Sequence, residues 1–193
     1  MHTRLRVALT TVLLAFVAVS APALAQDSRW YAGFGLGMST AKDACDGVAG
    51  PGVSCDDEDT AFKIIGGYRI NPNFAVEVGY TDLGKASASD GVDTVSIESS
   101  GFEVLAVGIA PISPQWSLYG KVGLFSWDLD VKGTGGSLSE SGNELTYGFG
   151  ASYDFSRTTA LRLEYQSYTD IGDANTTGTS DVNVLGAALI IKF

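Results

Sequence analysis

The sequence predicts an all-β fold, an eight-stranded antiparallel up-and-down transmembrane β-barrel, from three observations. Segments of the chain alternate between apolar and small or polar residues with a period of two, which is the side-chain period of a β-strand. Eight such segments follow one another, and bacterial membrane barrels have an even number of strands. The connections between the segments are alternately short and long, as in barrels with turns at one end and loops at the other.

The start of the chain has the features of a secretory signal peptide. Arg4 and Arg6 are basic, a short apolar run follows, and Ala23-Leu24-Ala25 has the small residues of a cleavage site. The apolar run is shorter than the roughly 20 residues that a membrane-spanning helix needs, so cleavage is favoured over an N-terminal anchor. We therefore expect residues 1–25 to be a signal peptide and residues 26–193 to be the barrel domain, exported through the periplasm.

The third segment shows the alternation most clearly. One predicted face carries Phe74, Val76, Val78 and Tyr80, and the other carries Ala75, Glu77, Gly79 and Thr81. The other segments are 30–38, 62–70, 102–110, 116–124, 145–155, 161–166 and 185–193. The fourth is the weakest, because Leu105, Val107 and Ile109 share the face of Glu103.

The distribution of residues between the two faces predicts which face meets lipid. Charged residues share a face with the glycines, namely Lys63, Glu77, Lys121, Arg162 and Glu164. Aromatic residues lie on the opposite face and collect at the turn side, namely Trp30, Tyr68, Phe74, Trp116, Phe155 and Phe193. A soluble barrel that holds a ligand would have its apolar residues inside. The opposite arrangement predicts a lipid-facing surface with an aromatic girdle and a charged interior. Because a lone buried charge is costly, we expect Glu77 to pair with Arg162, with Lys121 and Glu164 as close neighbours.

The predicted connections differ in length and polarity. The short ones are Asn71-Pro72-Asn73, 111–115 and 156–159, and the long polar ones are 40–60, 84–96, 130–143 and 170–181. The first long loop contains Cys45 and Cys55, which in an exported chain predict a disulfide bond, with two free thiols as the alternative. The same loop is rich in carboxylates, namely Asp43, Asp46, Asp56, Asp57, Glu58 and Asp59. Their spacing is not that of a known calcium loop, so a solvated acidic loop without metal or cofactor is expected.

Several motifs resemble the transmembrane domain of the OmpA family along essentially the whole mature length. They are 67–72 (GYRINP), 77–84 (EVGYTDLG), 162–166 (RLEYQ), 170–174 (DIGDA) and the terminal Lys192-Phe193. The resemblance implies that Phe193 is part of the signal recognised by the barrel-assembly machinery. It also implies a buried network of two acids and two bases, in which Glu77 and Arg162 fall at two of the positions. Val107 and Ser152 stand at the other two. Full-length members continue into a peptidoglycan-binding domain, whereas this sequence ends at Phe193.

Charge and residue content narrow the function. The sole histidine, His2, lies in the predicted signal peptide, so the mature chain has no base of the usual kind to activate a serine or water, and no enzyme is expected. The net charge of −10 disfavours a nucleic-acid partner. The leading hypothesis is a monomeric structural protein in the outer membrane of a Gram-negative bacterium, in contact with lipid and lipopolysaccharide. The alternatives are a protein that binds a surface through its loops, as an adhesin does, and a low-conductance channel.

Overall fold

The structure, a computed structural model, describes residues 29–42, 45, 54–89, 94–133, 136–173 and 178–193. These residues form eight long strands: β1 (Trp30–Ala41), β2 (Glu58–Asn71), β3 (Phe74–Ser89), β4 (Thr94–Pro111), β5 (Trp116–Gly133), β6 (Gly136–Asp154), β7 (Thr159–Asp173) and β8 (Gly178–Lys192). A short additional strand, Ser54–Asp56, pairs with the end of β3. The predicted signal peptide lies outside the described residues.

The eight strands form a closed antiparallel barrel. Each strand pairs with its neighbours in the chain, and β1 pairs with β8 from Tyr31↔Lys192 to Ala41↔Val182, which closes the sheet. The all-β, eight-stranded up-and-down fold predicted from the alternation is therefore confirmed. Among the described residues, no helix is long and apolar enough to cross a membrane.

Short polar side chains form the three tight turns. Asn71 Oδ1 accepts hydrogen bonds from the backbone N–H groups of Asn73 and Phe74, at 2.8 and 3.0 Å. Ser113 and Ser156 play the same part in the other two turns, where each hydroxyl oxygen accepts from two backbone N–H groups. Such local bonds replace the ladder bonds that a reversing chain loses, so the short connections lie where the sequence predicted them.

The predicted long loops are shorter than the sequence suggested. Residues 84–89 and 94–96 continue β3 and β4, and most of 130–143 forms the ends of β5 and β6, which pair as far as Gly133↔Gly136. Residues 58–60 likewise belong to β2, and residues 170–173 and 178–181 belong to β7 and β8. The prediction of four long loops was therefore wrong in extent for all four connections. Polar composition was misleading because a strand that stands above the lipid can be polar on its outward face and still pair.

Outward-facing residues divide the barrel into a lipid-facing band and a polar collar. At the turn end, Trp30, Phe74, Trp116, Phe155 and Phe193 are all exposed, as predicted. Tyr68, the sixth predicted member of the girdle, is half-buried beside Trp30. A second series of neighbouring rings lies nearer the loop end, Phe34–Phe62–Tyr80–Phe102, with centroids 5.2 to 6.5 Å apart. Beyond Tyr80 and Phe102 the outward residues become polar. Asp82, Ser100 and Asp128 lie side by side there, because Asp82 pairs with Ser100 and Ser100 pairs with Asp128. We call this outward surface, formed by Asp59, Asp82, Glu98, Asp128 and Asp130, the acidic collar.

Inward-facing residues form three layers. The turn-end cluster contains Tyr31, Ile65, Ala75, Leu105, Val107, Ile109, Tyr119, Ala160, Ala188 and Ile190. The loop-end cluster contains Ala61, Leu83, Phe125, Trp127, Leu129, Tyr168, Ile171, Val182 and Val184. Buried charged residues, described below, share the interior with the two clusters. The sequence predicted small and charged residues inside and aromatic residues outside, and the inward Phe125, Trp127 and Tyr168 correct that prediction.

Candidate functional site

Six charged side chains are buried among the described interior residues: Lys63, Glu77, Glu103, Lys121, Arg162 and Glu164. We call them the interior network. Five of the six are the interior charges expected from the sequence, and all five lie inside the barrel. Glu103 was not among the predicted interior charges. It shares a face of its strand with Leu105 and Val107, so assigning that face to the interior would have identified Glu103 as a buried charge. Three carboxylates face three cations, so the network carries no net formal charge.

One half of the network is built on Glu77 and Arg162. Glu77 Oε1 accepts a hydrogen bond from Arg162 Nη1 and another, of 2.6 Å, from the hydroxyl of Tyr31. The Arg162 guanidinium lies between two aromatic rings, 5.0 Å from the Tyr31 centroid and 5.1 Å from the Tyr119 centroid. The predicted Glu77–Arg162 pair is therefore confirmed, and the two tyrosines hold its cation in place by cation–π contacts.

The other half centres on Glu164. Lys121 Nζ lies 2.8 Å from both carboxylate oxygens of Glu164, and Lys63 Nζ donates to Oε1 at 3.0 Å. The hydroxyl of Tyr119 donates to Oε2 at 3.0 Å. Because Tyr119 also contacts Arg162, it joins the two halves. The neighbourhood of Lys121 and Glu164 that the sequence predicted is confirmed as a direct ion pair.

Glu103 is held at the loop side of the network by neutral partners as well as by a cation. Its Oε1 lies 3.3 Å from Lys63 Nζ, and its Oε2 accepts from Gln166 Nε2 at 2.8 Å. The hydroxyl of Tyr168 lies 3.3 Å from the same oxygen. Gln166 also accepts a hydrogen bond from Lys63 through its own Oε1. Gln166 therefore connects Glu103 and Lys63 through the nitrogen and the oxygen of its side-chain amide.

Glycines make room for the two network tyrosines. A Cβ atom at Gly67 would lie 2.1 Å from Tyr31 Cζ, and one at Gly150 would lie 2.7 Å from the Tyr119 hydroxyl oxygen. Both distances are far shorter than a carbon atom tolerates, so each ring lies against the bare backbone of its cross-strand partner on the adjacent strand. The glycines that share the inward face with the charges thus serve a specific packing purpose.

The interior at this level is nearly filled. A void of about 20 Å³ lies beside Lys63, Thr81 and Glu164, against the backbone of Gly35 and Gly186. That volume is about that of one water molecule. A narrow eight-stranded barrel is expected to be packed by its own side chains, and the arrangement found here forms a plug of ion pairs between apolar layers.

The remaining predicted sites lie outside the network. Cys45 and Cys55 are joined by a disulfide bond, as predicted. Phe193 is exposed on the outer surface, and its backbone N–H donates to the carbonyl of Trp30 at 2.9 Å, which ties the C-terminus to β1. Asp43 and Asp46 of the acidic loop lie outside the described residues. Within the described residues, no group of three or more His, Cys, Asp or Glu side chains is arranged to hold a metal ion.

The sequence matches a known family over almost its full length. The profile of the outer membrane protein β-barrel domain matches residues 11–193. The chain belongs to this family. Its relatives include outer membrane protein A of Klebsiella pneumoniae, 34% identical over 179 residues that cover 87% of this chain and 51% of the relative. Outer membrane protein A of Escherichia coli O157:H7 is 31% identical over 173 residues, 89% of this chain and 49% of the relative. The chain thus spans about half the length of these relatives.

Solved structures agree on the fold. Neisserial surface protein A superposes with a TM-score of 0.61 and 20% identity, covering 85% of this chain and 97% of that one. The N-terminal β-barrel domain of Pseudomonas aeruginosa OprF superposes with a TM-score of 0.55 and 11% identity, covering 86% and 100%. With the family match, these similarities identify the protein as an OmpA-like β-barrel of the outer membrane of Gram-negative bacteria.

Proposed function

We propose that this barrel has a structural role: it supports the integrity of the outer membrane and carries an acidic, loop-bearing surface outside the lipid. The observation that carries the proposal is the filled interior, in which six charges cancel between two apolar clusters. Among the described residues, the void beside the network is only about 20 Å³, which disfavours passage of solute through the middle of the barrel. The contribution of the barrel to the cell then comes from its lipid-facing wall and its exposed end.

The partners that follow from this role are the lipids and lipopolysaccharide around the wall. The outward band of apolar and aromatic residues supports lipid contact along the whole circumference, which favours a monomer. Export through the periplasm and insertion by the barrel-assembly machinery complete the proposal, with the exposed terminal Phe193 as part of the assembly signal.

The direct test is deletion of the gene followed by complementation. Loss of the protein should increase sensitivity to vancomycin, which an intact outer membrane excludes, and the wild-type gene should restore resistance. A variant with Asp82, Asp128 and Asp130 changed to asparagine keeps the barrel and neutralises part of the acidic collar, and it should restore resistance equally well. Unchanged sensitivity after deletion would contradict the structural role.

The acidic collar favours a second candidate function, which is binding of a basic surface or protein through the loop end. Five carboxylates lie on this outward surface and line one shallow depression, with Lys85 as the cation among them. If binding is the main role, deletion should reduce adhesion of cells to a positively charged surface while vancomycin sensitivity stays unchanged. The triple asparagine variant should then fail to restore adhesion, which separates this candidate from the first.

Measurement of conductance tests the closed interior itself. The purified protein in planar bilayers should give no stepwise conductance, because the network leaves a void of only about one water molecule. Regular current steps from the wild-type protein would favour the low-conductance channel instead. The Glu77→Ala/Arg162→Ala variant, whose plug is incomplete, serves as the comparison in the same bilayers.

A further inference from the structure

A cavity of about 330 Å³ lies at the loop end of the barrel, beyond the interior network. Its walls are largely apolar and come from β1, β3, β4, β5, β7 and β8, with Ala41, Leu83, Ile97, Leu129, Ile171 and Val182 as the main apolar side chains. The volume is within the range of small-molecule sites in proteins, which are also lined mainly by apolar side chains with a few polar groups. The interior is thus filled in the middle of the barrel and open at this end.

Irregularities in two strands border the cavity. The β7–β8 register shifts between Tyr168 and Ile171, where Asp170 has a φ of 51°. The shift lets Tyr168 and Ile171 both face inward although they are three residues apart. A second shift between Asp82 and Lys85, with Gly84 at a φ of 80°, interrupts the β3–β4 ladder. Such bulges are over-represented next to functional sites because they re-aim side chains.

The cavity has a polar group without a partner in its wall. Ser99 is 8% exposed, it lines the cavity, and its Oγ has no hydrogen-bond partner among the described residues. Buried hydroxyl groups are nearly always hydrogen-bonded, so an orphaned one needs an explanation. Trp127 Nε1, in the apolar cluster that also contains Leu83 and Leu129, is buried and unpartnered in the same way. A ligand with a hydrogen-bonding group would satisfy the serine once its buried hydroxyl turns toward the cavity.

The charges around the cavity indicate what kind of ligand fits. Asp57 and Lys85 both line it, so they leave little net charge at its rim. The acidic collar lies beside this end of the barrel on β2 to β5 and disfavours anions such as fatty-acid carboxylates. We propose that the cavity binds a small uncharged amphiphile, an aliphatic molecule with one hydroxyl that hydrogen-bonds to Ser99. This binding is separate from the structural role, because the interior network lies outside the cavity lining.

Tryptophan fluorescence can test the proposal, because Trp127 packs in the cluster beneath the cavity while Trp30 and Trp116 face lipid. In the parent protein, Trp30→Phe and Trp116→Phe leave Trp127 as the only tryptophan. In the reference protein, Trp127→Phe leaves the two lipid-facing residues. Both proteins are titrated with 6-bromo-1-hexanol in phosphatidylcholine vesicles, since bromine quenches nearby tryptophans. We expect quenching of Trp127 to saturate, and quenching of the reference to rise linearly as the alcohol partitions into lipid.

Two variants of the parent locate the binding. Ala41→Phe fills the cavity from β1 and should weaken the saturable quenching at least about tenfold, because the ring occupies the space that the ligand needs. Ala32→Phe, on the lipid-facing side of the same strand, is the matched control and should leave it unchanged. Ser99→Ala removes the hydroxyl without filling space and should weaken binding about fivefold. If the circular dichroism spectrum shows that Ala41→Phe does not fold, the binding measured for Ser99→Ala tests the proposal instead. Quenching that does not saturate, or that none of the cavity variants changes, would overturn the proposal.

Discussion

The lipid-embedded part of the barrel and the part above the lipid have opposite side-chain arrangements on the same strands. Within the lipid, β5 directs Val122 and Leu124 outward and Lys121 inward. A few residues later, it directs Trp127 and Leu129 inward and Asp128 outward. The alternation keeps its period of two, but the polarity of the two faces exchanges. The outward face is therefore apolar where it meets lipid and polar above it. The interior holds the ion pairs and the turn-end apolar cluster at the level of the lipid, and a second apolar cluster above it.

This difference predicts that the two parts respond differently to mutation, and the largest effect is expected in the interior network. Glu77→Ala leaves Arg162 without its carboxylate, and Arg162→Ala leaves Glu77 with only Tyr31. Each should lower the free energy of unfolding by about 3–5 kcal/mol, because a buried charge loses its partner. The double variant should lose much less than the sum, since it removes both charges together. Urea unfolding in lipid vesicles measures all three, and strictly additive losses would show that the two residues do not interact.

Truncation of apolar side chains compares a filled layer with an open one. Leu105→Ala in the turn-end cluster removes a side chain that is 1% exposed, and it should cost about 2–5 kcal/mol. Leu83→Ala should cost clearly less, because Leu83 borders the existing cavity and gives up fewer packing contacts. The same unfolding assay compares them. An equal or larger loss for Leu83→Ala would mean that the loop-end layer is as tightly packed as the turn-end layer.

The glycines allow a finer test of how the network is packed. Gly67→Ala places a methyl group on the Tyr31 ring, so the ring must move away from Glu77 and Arg162. We expect a loss of about 1–3 kcal/mol from this overpacking. Gly66→Ala is the matched control, because a Cβ atom there has its nearest contact at 4.0 Å, with Val78 on the outer face. Equal unfolding midpoints for the two variants would count against close packing of Tyr31 on Gly67.

Reduction of the disulfide should have the smallest effect on the barrel. Cys45 and Cys55 are ten positions apart, and the chain-entropy model gives about 3 kcal/mol for a loop of that size. Because the strands form their own closed hydrogen-bond network, that stabilisation should concern the loop alone. Limited proteolysis should cleave the Cys45→Ser/Cys55→Ser variant within the first loop, while its urea midpoint stays at the wild-type value. A fall in midpoint as large as that of Leu105→Ala would show that the loop supports the barrel.

Much of this arrangement follows from the sequence wherever the outside is lipid. The alternation around Phe74–Tyr80 predicted the β3 faces, and the shared face of Glu77 and Arg162 predicted their pairing. Glu103 was missed because Leu105, Val107 and Ile109 share its face of the strand. The expectation that inward faces are small or polar argued against assigning this apolar face to the interior. Trp127 was missed because the predicted fifth segment ended at residue 124, although the alternation continues beyond it. Neither bulge has a simple sequence signal, so the cavity could not be predicted.

The interior network has a consequence for the order in which the barrel forms. Lys63 on β2 and Glu164 on β7 are separated in the wall by β1 and β8, and Glu77 on β3 is one strand further from Arg162. These ion pairs cross the interior and do not follow the sheet. A partly assembled sheet can satisfy its backbone strand by strand, but it has no means of bringing these charges together. The Lys63–Glu164 and Glu77–Arg162 pairs therefore form only when β1 meets β8. Lys121–Glu164 and Lys63–Glu103 span a single strand each and do not depend on that closure. Two of the ion pairs thus stabilise the completed barrel and not the pairing of any two strands.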